Sequence, residues 1–336
     1  MSTVKFWNEA AKGVYDTCVL GARAPKKVKD FIVEEDKRIT RVLESYVKRG
    51  KEVVFVEIGS GTGRYLKLFG KKILTDKSFS RNLKYIVGID FSEAMIKTSI
   101  ENLVHSREIG NVTIRSLVDE LAPEMNISTK TMKKKLSSRV ILVNGDITTK
   151  PFLRIAGINV VVGVLFGTLG NISPRKRGLA LRNMRTISTD PEFLITVFDH
   201  KKMQVGWEIY RELSNAGFYL LKPMVTHNSE FTTTKGFYSE WFTEETFKSL
   251  LNKNFAHDES EVIPFKHGLF GRVKVKGNAP LGEFTMDLVC VKCGGVLSRL
   301  PLPAVKSLKC SSCSSSYKVV KYLGFQYPII TPDEGA

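Results

Sequence analysis

The hydrophobic pattern of this chain switches repeatedly between two kinds of segment. Compact apolar runs rich in Val, Ile, Leu and Phe recur at Val53–Ile58, Tyr85–Asp90, Arg139–Ile147, Ile158–Val164 and Glu192–Asp199. Their length and composition predict buried strands. Between them lie segments with apolar residues at helical spacing. In residues 30–49, Phe31, Ile32, Ile39, Val42, Leu43 and Tyr46 share a stripe. Another helix is predicted from Ser92, a suitable N-cap with Glu93 in the first turn, to about Leu103. A third starts at Pro174, with Leu179, Leu181 and Met184 available for packing, and a fourth follows Thr243, an N-cap with Glu244 and Glu245 behind it. A late strand pair is expected near Val262–Lys266 and Gly271–Val275. Strands alternating with helices predict an α/β fold with a mostly parallel sheet.

The first strand runs into Glu57-Ile58-Gly59-Ser60-Gly61-Thr62-Gly63, and a helix is expected from about Arg64. Three glycines at alternate positions allow a tight turn and a close backbone approach to a ligand, with the free N–H groups of a helix start behind them. The spacing G-x-G-x-G is neither the dinucleotide fingerprint, whose third glycine would fall at Arg64, nor a P-loop, since no Gly-Lys-Ser/Thr follows. The second strand ends in Asp90. A carboxylate at that tip holds a ribose hydroxyl pair in doubly wound folds.

Together these segments resemble the class I S-adenosylmethionine-dependent methyltransferases. The resemblance implies a Rossmann-like seven-stranded sheet with helices on both faces. It implies that Glu57, Gly59, Gly61 and Gly63 hold the methionine part of S-adenosyl-L-methionine and that Asp90, followed by Phe91, holds the ribose. Gly145-Asp146-Ile147 is similar to the adenine-side motif, so Asp146 and Ile147 are expected at the adenine edge. The fourth strand, with Leu165 at its end, leads into Phe166-Gly167-Thr168-Leu169-Gly170-Asn171, a loop similar to that of small-molecule N-methyltransferases. Thr168 and Asn171 are candidates for substrate contact, and equally for turn chemistry. Phe6-Trp7…Tyr15-Asp16 resembles the family's aromatic N-terminal lead-in, which makes Tyr15 a candidate to cover the sulfonium. Trp7 and Tyr15 read equally well as core residues of an amphipathic helix. The chain departs from the family in two places. Gly70–Lys84 lengthens the gap between Glu57 and Asp90 and reads as an insertion, as do residues 104–138. No N/D-P-P-Y/F motif and no cysteine near the fourth strand is present, which argues against exocyclic base amines and against C5 methylation through a thiolate. No G-x-S-x-G elbow suggests a hydrolase. His200 and His227 are the nearest candidates for a base, if one is needed.

Composition adds a partner. Lys and Arg outnumber Asp and Glu by 51 to 34, a net +17 over 336 residues. That balance favours anionic partners, nucleic acid first. Basic clusters occur at Arg64–Lys84, Lys130–Arg139 and Arg175–Arg185. Each reads either as a phosphate contact or as a solvated helix face. Hydrophobic content of 43% suits a soluble protein, no apolar run is long enough to span a bilayer, and no signal peptide is evident. Cytoplasm is therefore the expected location, with no membrane partner.

Past a linker-like Gly277–Pro280, Cys290-x2-Cys293 and Cys310-x2-Cys313 stand sixteen residues apart. This is zinc spacing. Four thiolates leave no open position, so the site reads as structural; a redox dithiol pair or an iron site would use the same residues. Cys310–Ile330 is similar to a small zinc ribbon found with methyltransferases, although the order of its closing phrase is altered. The expected organisation is a methyltransferase domain at 1–277, with a helical lead-in at 1–50, and a zinc-ribbon-like unit at 280–330. The expected activity is methyl transfer, with RNA as acceptor. The alternatives are a small amine or acid as acceptor, or a non-catalytic module of the same fold that binds RNA or protein.

Overall fold

The structure, a computed structural model, describes residues 3–13, 15–21, 23–105, 107–109, 112–202, 211, 223–227, 230–233, 238–256, 258–277, 281–322 and 324–330. Seven strands form the centre of the fold: β1 (Val53–Ile58), β2 (Leu83–Asp90), β3 (Val140–Asn144), β4 (Asn159–Val164), β5 (Glu192–Phe198), β6 (Glu259–Phe265) and β7 (Gly268–Lys274). Their order across the sheet is β6-β7-β5-β4-β1-β2-β3. The first five strands run parallel, and β7 is antiparallel to both β5 and β6. The order reverses at β1, which puts the crevice between β1 and β4 at the carboxyl edge, where open α/β sheets bind ligands.

Every residue of β1 is buried, because helices cover both faces. Alternate side chains feed two cores. Val53 and Phe55 pack with Phe31, Tyr65 and Phe69 on one face, and Val54, Val56 and Ile58 with Val160, Val162 and Phe247 on the other. The first face carries α1 (Thr3–Ala10), α2 (Lys26–Val47), α3 (Arg64–Thr75) and α4 (Glu93–Val104). The second carries α5 (Pro174–Arg185) and α6 (Glu244–Asn254). Helix starts fall where side chains can take up free N–H groups. Ser92 Oγ accepts from Met95 N–H at 3.1 Å, and Thr243 forms a reciprocal capping box with Thr246.

The two stretches expected as insertions are built into the first core. Gly70–Thr75 is the second half of α3, and Asp76 then caps a short helix, Lys77–Asn82. Arg107–Ile109 pairs antiparallel with Val112–Ile114. Helices Leu117–Glu124 and Thr129–Ser137 follow and bury Leu117, Val118, Leu121, Met132 and Leu136.

The C-terminal unit contains β8 (Thr285–Val289), β9 (Val296–Arg299), β10 (Ser307–Lys309), β11 (Ser316–Tyr322) and β12 (Phe325–Ile330). It joins the α/β unit along two seams. β12 lies parallel to β3, so the sheet continues as β3-β12-β11-β10 and reaches ten strands. β8 pairs antiparallel with Leu153–Ala156 and with β9. An open edge strand presents unpaired N–H and C=O groups; the seam on Leu153–Ala156 covers such an edge along the whole strand, the seam on β3 at Asn144. The linker residues 278–280, and residues 235–237 of the lead into α6, lie outside the described residues. No helix among the described residues is long and apolar enough to cross a membrane.

Candidate active site

A cavity of about 560 Å³ opens at the carboxyl ends of β1, β2, β3 and β4. It gathers Tyr15, Glu57, Gly59, Gly61, Asp90, Phe91, Asp146, Ile147, Leu165, Thr168 and Asn171 from five separate stretches of chain. Gly63 does not line it. Its backbone is left-handed at φ +85°, and a Cβ there would stand 2.6 Å from Ser99 Cβ, so this glycine lets α3 close onto α4. Gly59, at φ +69°, meets Thr168 Cγ2 in the same way at 2.5 Å and lets the loop after β4 lie on the turn. Gly61 is different. Its φ is +54°, and a Cβ would meet nothing closer than Gly59 O at 3.9 Å.

Asp90 ties the turn to the second strand. Its Oδ2 accepts from Gly61 N–H at 2.9 Å and its Oδ1 from Ser92 N–H at 2.8 Å. Burial pushes its carboxyl up to about 6, against the pull of those two N–H groups. Glu57 is also buried, and burial holds its carboxyl well above the ordinary range, with the Arg64 guanidinium opposing. Its Oε2 has no hydrogen-bond partner among the described residues. At the third strand, Asp146 Oδ1 accepts from Thr148 N–H at 2.8 Å and from Thr148 Oγ1 at 2.6 Å, which fixes the turn. Tyr15 and Trp7 meet edge to face at 5.9 Å between ring centres, and both line the cavity. Thr168 Oγ1 donates to Leu165 O at 2.6 Å, so this hydroxyl serves the turn. Asn171 Oδ1 is buried without a hydrogen-bond partner among the described residues. His200 does not line the cavity, and the side chain of His227 lies outside the described residues.

Behind the wall is a polar cluster that the motifs did not reveal. Glu35 of α2 is fully buried and accepts from Arg64, from Thr196 Oγ1, from Tyr65 OH at 3.1 Å and from Phe166 N–H at 2.7 Å. It therefore joins the N-terminal helix to the start of α3, to β5 and to the loop after β4. Asp16 does similar work nearer the entrance of α4, accepting from Thr62 Oγ1 and from Asn102 Nδ2, the latter at 2.7 Å.

Several predicted polyanion contacts are occupied by the fold. Arg177 is 5% exposed, pairs with Glu240 at 2.8 Å and donates to the carbonyls of Leu169 and Ile172. Arg139 donates to Ser80 O and Leu83 O. Arg175, Lys176 and Arg182 are exposed, and Lys176 lines the cavity. Arg177→Ala is expected to cost about 3–5 kcal/mol, since it strands a carboxylate and two carbonyls. Arg175→Ala and Arg182→Ala should stay within about 0.5 kcal/mol. Urea unfolding of the three variants checks this contrast.

The sulfur atoms of Cys290, Cys293, Cys310 and Cys313 all lie within 4.8 Å of one another. Thiolates at about 2.3 Å from a tetrahedral zinc stand about 3.8 Å apart, so the set fits that ion. Each knuckle turns through a left-handed residue, Gly294 at φ +78° and Ser314 at φ +60°, whose N–H donates to the carbonyl of the first cysteine. Tyr317 OH stands 3.0 Å from Cys290 Sγ and accepts from Val291 N–H.

No protein-family model matches the chain, and no curated protein matches it. Among solved structures it is similar to PH0226 from Pyrococcus horikoshii OT3, at 14% identity and TM-score 0.45, over 78% of this chain and 97% of that one. It is similar to DhpI in complex with SAH, at 11% identity and TM-score 0.43, over 82% and 96% of the two chains. A third is the magnesium protoporphyrin IX methyltransferase ChlM from Synechocystis PCC 6803 with bound SAH, at 10% identity and TM-score 0.41, over 82% and 96%.

Proposed function

We propose that the protein is an S-adenosylmethionine-dependent methyltransferase with a structural zinc in its C-terminal unit. One observation carries this reading: Glu57, Gly59, Gly61, Asp90, Asp146, Ile147 and Leu165, each expected along the cofactor from the sequence, line one cavity at the sheet's switch point. The cavity's chemistry suits the ligand. Gly61 leaves room for a close approach, the unpartnered Glu57 Oε2 suits an ammonium, and Asp90 offers a carboxylate to ribose hydroxyls. When bound, S-adenosylmethionine supplies an electrophilic methyl group on a sulfonium. The chain's part is then to orient an acceptor and exclude water. Trp7 and Tyr15 offer ring faces to a cation, and Asn171 offers an acceptor beside the loop after β4.

For the methyl acceptor we favour a small molecule. The support is that of the two cations lining the cavity Arg64 is paired with Glu35, which leaves Lys176 without a partner among the described residues, while Arg139 and Arg177 are engaged within the fold elsewhere. RNA is the second reading. It rests on the net charge of +17 and on Arg175 and Lys176 at the start of α5.

Calorimetric titration with S-adenosylmethionine and S-adenosylhomocysteine tests the activity class; no binding at neutral pH would end it. A pH dependence is expected as well. The Asp90 carboxyl sits at about 6 in the folded chain against an ordinary 3.8. Ionising it in place therefore costs the fold about 3 kcal/mol as pH rises through that window. Hydroxyl donors need the ionised form of Asp90 and an ammonium that of Glu57, whose carboxyl burial also holds up, so affinity should fall as pH drops, by about tenfold per unit or more well below about pH 6. Asp90→Asn should make the slope shallower, leaving the part that belongs to Glu57. Transfer of labelled methyl to fractionated RNA or to metabolites then separates the two acceptors.

A further inference from the structure

The four-cysteine unit is attached to the adenine side of the cavity by three separate contacts. The first is at the edge of the main sheet, where Ile329 of β12 pairs with Asn144, the last residue of β3. Asn144 Nδ2 and the next N–H, of Gly145, both donate to the carbonyl of Asp90, at 3.0 and 2.9 Å. The second runs from the first knuckle. Val289 N–H, immediately before Cys290, donates to Phe152 O at 2.9 Å, and β8 pairs with Leu153–Ala156. The Phe152 ring lies against Gly145, where a Cβ would stand 2.6 Å from Phe152 Cζ. The third is direct: Lys150 Nζ donates to the carbonyl of Lys292, between Cys290 and Cys293, at 3.3 Å. Residues 144–156 are thus held at one end by β12, the partner strand of the β11 that leaves the second knuckle, at the other by β8, which runs into the first knuckle, and in the middle by the first knuckle itself.

We infer that the four-cysteine unit is a positioning element of the cofactor site: metal held by Cys290, Cys293, Cys310 and Cys313 fixes the turn at Gly145–Thr148 and, through Asn144, the ribose acid Asp90. This rests on the methyltransferase reading. A four-thiolate site and the fold around it form together, so loss of the ion releases β8 and β12, and with them both ends of the turn. β5, in the other half of the sheet, pairs with β4 and β7 and, among the described residues, with no strand of that unit. Coupling between two binding sites is reciprocal.

The test compares the full-length protein loaded with zinc, stripped by a chelator, and reloaded. Stripping should weaken S-adenosylhomocysteine binding tenfold or more, and reloading should restore it. Hydrogen exchange should rise in peptides covering 144–156 and stay unchanged over 192–198. Saturating S-adenosylhomocysteine should slow zinc loss to the chelator. Lys150→Met, which keeps all four cysteines, should weaken the nucleoside by a smaller factor at full zinc loading. Equal affinity with and without zinc, or zinc loss indifferent to S-adenosylhomocysteine, overturns the inference. So does exchange rising equally over 192–198, which would mean general unfolding, and so does a protein that takes up no zinc. If the zinc-loaded protein fails to bind S-adenosylhomocysteine at all, the methyltransferase reading falls first.

Discussion

Gly61→Val is expected to lower affinity for S-adenosylmethionine by about 100-fold or more, a loss of about 2.7 kcal/mol, while the protein stays folded. Three glycines in one turn invite the same forecast for each, but the structure separates them. At Gly61 the added Cβ meets nothing within van der Waals contact distance except Gly59 O at 3.9 Å, so the branched side chain enters open space lining the cavity. The fold bears only the left-handed backbone at φ +54°, at about 1–2 kcal/mol. At Gly63 the outcome reverses. A Cβ 2.6 Å from Ser99 Cβ forces α3 away from α4, so Gly63→Val should unfold the domain before its affinity can be measured. Thermal unfolding beside calorimetry distinguishes the two. A folded Gly61→Val protein with unchanged affinity would remove the cofactor from this cavity.

The strand–helix alternation, the glycine turn and the acid at the tip of β2 were legible because each is local. Every one is a short run whose residue types follow from its own backbone, and the seven-stranded sheet follows from their order. The cysteine spacing was legible for the same reason. What the sequence hid depends on contacts between distant segments. Nothing in the text of residues 104–138 says that Leu117 and Leu136 complete the core around Gly70, where a Cβ would touch Leu117, Leu103 and Leu136. Nor does local pattern reveal that β12 pairs with β3, since any edge strand would accept it. The basic run Arg175–Arg185 looked uniform, yet Arg177 faces Glu240, 63 residues away, while Arg175 and Arg182 face solvent. One signal was there to be read. In α2 the apolar stripe runs Phe31, Glu35, Ile39 at successive four-residue steps, and an acid within such a stripe requires a buried partner.

That acid gives a large stability effect that reaches the cavity. Glu35→Ala should destabilise the protein by about 3–5 kcal/mol, because it leaves the largely buried Arg64 guanidinium without its main counter-charge and removes an acceptor from Thr196 and Tyr65. The consequence extends to the cavity. Phe166 sits at φ +49°, a backbone region that a bulky residue occupies only when held, and the N–H of Phe166 donates to Glu35 Oε1 at 2.7 Å and to Thr196 Oγ1 at 2.8 Å. Its ring packs on Phe31 and Phe198 while lining the cavity, so freeing the N–H displaces part of the wall. Glu35→Gln keeps the shape but turns an N–H₂ toward donors, and should cost about half as much. Arg64→Met alone strands Glu35 and should be as damaging as Glu35→Ala. In the double variant Glu35→Gln/Arg64→Met neither charge remains to be stranded, and replacing both partners of a buried pair is often near neutral. Urea unfolding of the parent, both singles and the double should therefore give a coupling energy of about 2 kcal/mol or more. Strictly additive singles would show that Arg64 and Glu35 contribute separately and that the loop after β4 is held by something else.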